Sequence, residues 1–449
     1  MNYAPHTSED LSEMLKTVGA ASVEDLFSDI KPEFRAKSFK LQNGISEFEV
    51  FEYLKKLSGK NSDGFINFIG GGFYNHYIPA AVDALSGRAE FYTAYTPYQP
   101  ECAQGTLQAL YEYQTAICRI TGMDAANASV YDGGTALAEA VIMALRITRR
   151  GKVIIDAGVN PGYREIIKTY TANISCKLLE VDPADYRADR KKIFQMIDEE
   201  TAAVVFQNPN FFGTVDDYTD IVSEARSKGA LAVSSVYPVS LGLLKTTASM
   251  GADIATGEGQ SLGNPLNFGG PYLGFMAVTE KYMRNLPGRI VGTAYDKNGN
   301  RGFVLTLQAR EQHIRRQKAA SNICSNQNLC AIRAIIYLAC LGKKGFEELA
   351  RKNHSKAMFA EKLISGTGKA EISNKNVIFN EFAVRFGMPA EKVYKALLKK
   401  GIFAGIPLGR FYKNMKNEML VCVTEKTKKE EISAFADSLN DYLSRAGKE

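Results

Sequence analysis

Four stretches of the 449-residue chain hold residue types whose spacing could support chemistry. Tyr131-Asp132-Gly133-Gly134-Thr135-Ala136 joins a β-prone run to an alanine-rich helix, and backbone N–H groups at such a turn can bind a phosphate. The same residues serve as well for a tight turn, with Thr135 an ordinary early helix residue. Residues 91–101 (FYTAYTPYQPE) repeat tyrosine at Tyr92, Tyr95 and Tyr98 among Thr and Pro. Pro97 and Pro100 oppose a regular helix here. Tyrosine's apolar body and polar tip suit a pocket wall or a subunit contact, with a surface loop packed on its own rings as the alternative. Arg284, Arg289, Arg301, Arg310, Arg315, Arg316 and Lys318 crowd a third stretch. Guanidinium forks match carboxylates and phosphates, so an anionic ligand or acidic partner is one reading and a set of solvated charges the other. The fourth, Gly257-Glu258-Gly259-Gln260-Ser261-Leu262-Gly263, approximates the G-x-G-x-x-G of a dinucleotide turn. It has one residue too many before the last glycine, and Asn264-Pro265 follows where a helix is needed, so it reads as a turn.

Other chemistries are poorly supplied. Seven cysteines (Cys102, Cys118, Cys176, Cys324, Cys330, Cys340, Cys422) form no CxxC pair, and with four scattered histidines they suggest no metal site. The net charge of +6 is spread over a long chain, unlike the concentrated basic patch of a nucleic-acid binder. No apolar run approaches the ~20 residues of a membrane span, and the acidic N-terminal stretch has no secretory-signal pattern. These bounds lead us to expect a soluble, cytoplasmic protein with reduced, structural thiols.

The elements that must position these residues can be read from periodicity. Residues 7–36 have helical character, and a helix over 46–58 is marked by the capping box of Ser46 and Glu49 and the stripe Phe48, Phe51, Leu54, Leu57. A helix is expected over 103–121. From 127 to 280, β-rich runs at 153–156, 176–181, 202–207, 231–236 and 272–278 alternate with helical stretches at 134–149, 161–172, 189–199 and 216–228. That alternation predicts βαβ units and a largely parallel sheet covered on both faces. Residues 280–325 read as a polar, Arg-rich connection, followed by amphipathic helices at 326–341 and 344–365. The last hundred residues read strand (377–386), helix (389–400), strand (418–424), helix (427–444), with Thr427 and Glu430 as a capping box. The expected divisions are an N-terminal helical segment over 1–63, a large α/β domain over 64–325, and a helical connection with a small α+β domain over 326–449.

Six segments in order carry a resemblance: FYTAYTPYQPE (91–101), QGTLQALYEYQ (104–114), NASVYDGGTA (127–136), QNPNFFG (207–213), GEGQSLGNPLNFGG (257–270) and RGFVLTLQAREQHIRRQKAASN (301–322). Together they closely resemble the glycine dehydrogenase (decarboxylating) P-protein of the glycine cleavage system. Within that family the chain looks like the α subunit (subunit 1) of enzymes split into two chains. The resemblance implies the fold-type I architecture of pyridoxal-phosphate enzymes, an α/β fold with a mostly parallel seven-stranded sheet and a smaller C-terminal α+β domain. It implies glycine decarboxylation, with the aminomethyl group passed to the lipoyl arm of the H-protein and with the T- and L-proteins as functional partners. Pyridoxal 5'-phosphate would serve as electron sink.

The resemblance also exposes a departure. Ser261 falls where the family's cofactor-binding chains have their Schiff-base lysine, and no lysine occurs from 246 to 280. Residues 231–242 (LAVSSVYPVSLG) lack the acid expected beside the pyridine nitrogen, and Asn160-Pro161 replaces a common His-Pro. The expectation is that this chain does not hold the cofactor covalently and is inactive alone. A partner β subunit (subunit 2) would hold it, in an αβ unit that pairs again into α₂β₂. Thr93, Tyr95 and Tyr98 are then expected to line the glycine or cofactor pocket at the interface, with Gly133, Gly134 and Thr135 as a vestigial phosphate turn. Two alternatives stand beside this. One is a non-catalytic scaffold that only stabilises the β subunit; the other is a self-sufficient enzyme using a displaced lysine such as Lys245.

Overall fold

The computed structural model describes residues 5–36, 38–325 and 327–446. The chain divides into two units, Met1–Asp63 and Gly64–Glu449. In the first, Ser8–Val18 and Glu47–Ser58 are α-helices, opened by the capping boxes of Thr7 with Asp10 and Ser46 with Glu49. Val23–Phe27 and Pro32–Phe34 are short 3-10 turns. None of these four elements buries a residue, and the stripe Phe48, Phe51, Leu54, Leu57 is exposed. Local capping therefore defines the ends of these helices.

The second unit is built on a seven-stranded sheet. Its order is Ala125–Ala126, Gly274–Val278, Ile254–Glu258, Leu231–Val236, Thr201–Asn208, Lys152–Asp156, Lys177–Val181. The last five run parallel, and Gly274–Val278 is antiparallel to both its neighbours. The central strands are buried along their whole length. That is why they read as near-continuous apolar runs such as Val153-Ile154-Ile155 instead of alternating. The helix Gly133–Thr148 packs into one core with Val153, Ile155, Val205 and Val233, its small Ala138, Ala140 and Ala144 allowing close approach. The helix Gln104–Thr121 contributes Leu107, Leu110, Tyr113 and Ile117 to a second core with Ile154, Val204 and Phe206. The alternation seen in the sequence thus corresponds to a sheet with a core on each face.

Residues 280–325 are not only a polar connection. Ile290–Tyr295 and Arg301–Thr306 form an antiparallel hairpin, closed by a turn in which Asp296 accepts from the N–H groups of Asn298 and Asn300, both at 2.8 Å. Asn298-Gly299 is the sequence signal for that turn, and the density of arginines around it hides the strands. Asn328–Ser365 is helical, with a break at Gly342 (φ 60°, ψ −178°) that divides it much as predicted.

The C-terminal region has its own core, including Phe382, Val384, Val393, Leu397, Val421 and Phe435. Its four-stranded antiparallel sheet has the order Ala370–Ile372, Glu381–Phe386, Glu418–Cys422, Ile406–Pro407. The first and last strands are too short to show a period, and the sequence does not predict them. The box predicted on Thr427 and Glu430 is shifted by one residue. Glu431 accepts from the N–H of Lys428 at 2.7 Å, and Thr427 Oγ1 accepts from the N–H of Thr424 instead. Among the described residues no helix is long and apolar enough to cross a membrane, and no cluster of His, Cys, Asp and Glu could hold a metal ion.

Candidate functional site

Open α/β sheets place ligands at the carboxyl ends of their parallel strands. Here that edge gathers the turns following Asp156, Asn208, Val236 and Glu258, together with Asp132–Thr135. The space they leave is about 20 Å³, bounded by Gly72, Tyr74, Asn160, Tyr163, Tyr237 and Glu258 among others. That is about one water molecule.

The protein's own groups fill the edge. Glu258 accepts from the backbone N–H of Gly133 at 2.9 Å, of Gln260 at 2.9 Å and of Leu273 at 3.2 Å. Burial pushes its carboxyl up to about 7, against the pull of these three donors. Asp132 caps the helix Gly133–Thr148, accepting from the Thr135 N–H at 2.8 Å and the Thr135 hydroxyl at 3.2 Å. A Cβ on Gly133 would lie 2.7 Å from Tyr163 Oη, and one on Gly134 would lie 2.5 Å from Ile166 Cδ1. The turn over 133–135 is therefore covered, and the donors of Gly133 and Thr135 are spoken for. Ser261 is 2% exposed, and its hydroxyl has no hydrogen-bond partner among the described residues. Asn160 accepts from the Gly162 N–H and donates to Gly71 O at 2.8 Å, so it caps one helix and ties down the glycine run. Lys245 lies outside the cavity lining, in an ion pair with Asp217 at 3.0 Å on the surface.

The 91–101 segment is built differently. Ala89–Tyr92 is one short helical turn, after which the chain is irregular. Thr93 is exposed and its hydroxyl donates to Ala89 O. Tyr95 is 77% exposed, with its carbonyl 3.5 Å from Asn328 Nδ2. Tyr98 is half exposed, lies under the Arg289 guanidinium at 5.3 Å from the ring centre, and accepts from Arg289 Nη2 at 3.3 Å. The His313 ring meets Tyr98 edge-on at 5.6 Å. No hydrogen bond or ring contact among the described residues joins these tyrosines to the 133–135 turn. The two predicted sets thus differ in character: one is closed, the other open.

The sequence model described as glycine cleavage system P-protein matches residues 1–439. The chain belongs to that family. It is 57% identical over 443 residues to a protein of Geotalea daltonii described as probable glycine dehydrogenase (decarboxylating) subunit 1, covering 99% of this chain and all of that one. A protein of Maridesulfovibrio salexigens with the same description is 50% identical over the same span, again covering 99% and 100% of the two chains. A crystal structure of glycine decarboxylase (P-protein) of the glycine cleavage system, in inhibitor-bound form, superposes with a TM-score of 0.90. It is 43% identical over 98% of this chain and 100% of that one. The fold is also that of a sphingosine-1-phosphate lyase of Burkholderia pseudomallei, at 14% identity and a TM-score of 0.66 over 93% and 96% of the two chains. The expected fold-type I α/β architecture is the one observed.

The sheet edge of this P-protein family member does not fit a pyridoxal phosphate. Its cavity holds about one water, its phosphate-type turn is closed by Glu258 and Asp132, and the only side chain offered at position 261 is a hydroxyl. Sequence reasoning missed the groups that close it. The Tyr74 and Tyr237 rings meet at a 40° tilt with centres 4.2 Å apart, and Tyr74 donates to Glu381 at 2.7 Å. Glu381 also accepts from the Gly71 N–H, and burial pushes its carboxyl up to about 7. His76 bridges Tyr237 and Glu425. Burial would raise the Glu425 carboxyl, but the hydrogen bond from His76 and the Tyr77 N–H hold it below the usual range. Tyr74 and Glu381 are 307 residues apart, so only Gly70-Gly71-Gly72 could have signalled a close approach. A Cβ on Gly70 would lie 2.2 Å from Glu381 Oε1.

Proposed function

We propose that this chain is the α subunit of a two-chain P-protein: with a cofactor-carrying β subunit it decarboxylates glycine and passes the aminomethyl group to the lipoyl arm of the H-protein. The T- and L-proteins then act on the products, in the cytoplasm. The observation that carries the reading is the contrast within one fold. The family's usual pocket is closed here by Glu258, Tyr74 and Tyr163, while Tyr95 and Tyr98 face outward on a chain related to the P-protein over almost its full length.

In this reading the β subunit holds pyridoxal phosphate covalently, and the αβ unit pairs into α₂β₂. The cofactor supplies the electron sink for losing carbon dioxide from glycine. This chain supplies position and exclusion. Thr93, Tyr95 and Tyr98 line the shared pocket, with the tyrosine hydroxyls as hydrogen-bonding tips on rigid rings. The covered turn at Gly133, Gly134 and Thr135 is a vestige that binds nothing. The large domain over 64–325, with the helical connection and small α+β domain over 326–449, carries the segment.

The test is glycine–bicarbonate exchange by the assembled complex. Tyr98→Phe, which keeps the ring and removes the hydroxyl, lowers exchange by about tenfold. Exchange unchanged in both Tyr95→Phe and Tyr98→Phe complexes sinks the shared pocket. Activity of this chain purified alone sinks the division of labour.

A further inference from the structure

Four basic side chains are buried among the described residues: His76, Lys152, Arg164 and Arg289. Three have an acid beside them. His76 Nδ1 is 2.7 Å from Glu425, Lys152 pairs with Asp198, and Arg164 pairs with Glu180. Arg289 is 8% exposed and forms no ion pair with any described carboxylate. Its Nη1 donates to Ser325 O at 2.9 Å and its Nη2 to Tyr98 Oη at 3.3 Å, while its Nε is buried with no partner among the described residues. A guanidinium taken out of water and left without a counter-charge is among the costliest groups in a fold. The Tyr98 ring face offsets part of that cost without neutralising the charge.

The surroundings are unpaired as well. Among the described residues, Gln327 is 7% exposed with Oε1 unpartnered, and Asn328 is 3% exposed with Oδ1 unpartnered. These two residues open the helix Asn328–Ser365, whose first turn has no side-chain cap. Ser325 fixes the Arg289 backbone, accepting from its N–H at 3.0 Å and donating to Ser129 O at 3.0 Å. The cation stacked on Tyr98 is held by Ser325 O, two residues before a helix start whose amides can present either end, and Asn328 Nδ2 lies 3.5 Å from Tyr95 O. We propose that Arg289, with Tyr98, Gln327 and Asn328, forms an oxyanion site that takes a carboxylate or a phosphate group. Which anion fills it rests on the shared-pocket reading above, where glycine brings the carboxylate and the partner-held cofactor the phosphate. That the site exists does not rest on that reading.

Two measurements separate these levels. Thermal unfolding of the full chain alone is followed in inorganic phosphate, in acetate and in chloride of matched ionic strength. Phosphate or acetate raises the midpoint of the wild-type chain by about 2 °C or more, Arg289→Lys keeps part of the shift and Arg289→Gln loses it. No wild-type shift, or an undiminished shift in Arg289→Gln, overturns the site. In the αβ complex, Arg289→Gln then raises the glycine KM about tenfold with kcat retained if the anion is glycine's carboxylate. If it is the cofactor's phosphate, the variant needs about tenfold more pyridoxal phosphate for half-reconstitution, with no change for pyridoxal. A lost thermal shift with both of these unchanged leaves the oxyanion site standing and counts against the shared pocket alone.

Discussion

At the carboxyl edge of the sheet, Glu258 receives three backbone N–H groups and Asp132 receives both donors of Thr135. Among the described residues, buried Arg289, which stacks on Tyr98, receives no carboxylate, and at the start of the helix Asn328–Ser365 two amide oxygens go without a donor. The closed region is not free of orphans, since the Ser261 and Ser234 hydroxyls are also unpaired. Those are neutral groups, and a buried hydroxyl without a partner costs far less than a buried charge. The comparison teaches how one fold can satisfy its polar groups internally in one region and leave a charge unsatisfied in another. At the sheet edge, side chains take up the backbone donors and the free volume is about 20 Å³. At Arg289 the charge stays uncompensated among the described residues, as the proposed oxyanion site requires.

The largest test reopens the closed region. Ser261→Lys restores the amine that the family's cofactor-binding chains have, but at a position that is only 2% exposed, next to an edge whose free space is about 20 Å³. Overpacking and the burial of a second charge beside Glu258 are expected to cost about 3–5 kcal/mol, read by urea unfolding. No absorbance of a covalent imine should develop with added pyridoxal phosphate. A borohydride-trappable band in this variant would mean that the edge opens more readily than its packing implies.

A smaller test uses protons. The Glu258 carboxyl stands at about 7 in the fold against 4.5 for an ordinary glutamate. The folded chain therefore binds more protons than the unfolded chain between those values. The stability associated with this group is fully present below about pH 4.5 and is lost as pH rises through about 7. The loss is on the order of 3 kcal/mol. Glu381 behaves in the same direction for the same reason. Glu258→Gln should flatten the decline between pH 5 and 8 in denaturant titrations, leaving the share that belongs to Glu381. An unaltered slope would remove Glu258 from the account.

Much of this molecule is legible in its sequence. The βαβ alternation, the helix Gln104–Thr121 and the break in the long helix near Gly342 follow from periods of two and 3.6 that long segments display. The absence of a lysine between 246 and 280 is plain from composition alone. What stays hidden is long-range. Glu258 reads as the middle of a glycine turn, and nothing local says that its carboxylate turns back to Gly133, 125 residues earlier. Arg289 lies in a run of seven basic residues where solvated charge is the simpler reading. Its burial follows from a hairpin that begins one residue later and from Ser325, 36 residues on. Periodicity reports which face of an element is buried, but not which distant partner a buried charge meets.

The smallest expected effect sharpens the comparison most. Arg164 and Arg289 are equally buried at 8%, and differ in whether an acid faces them. Removing Arg164 with Arg164→Gln leaves Glu180 half-buried with only Lys168 to pair it at 2.8 Å. The loss should be about 2 kcal/mol, below the value for a fully buried pair because of that second cation. Arg289→Gln in the isolated chain strands no carboxylate. It gives up the bond to Ser325 O and the stack on Tyr98, but also relieves an uncompensated charge, so the net change should stay within about 1 kcal/mol. Chemical denaturation of the two variants beside wild type measures the difference directly. If Arg289→Gln costs as much as Arg164→Gln, the guanidinium serves the fold itself, and the contrast between a filled region and a waiting one fails at its central residue.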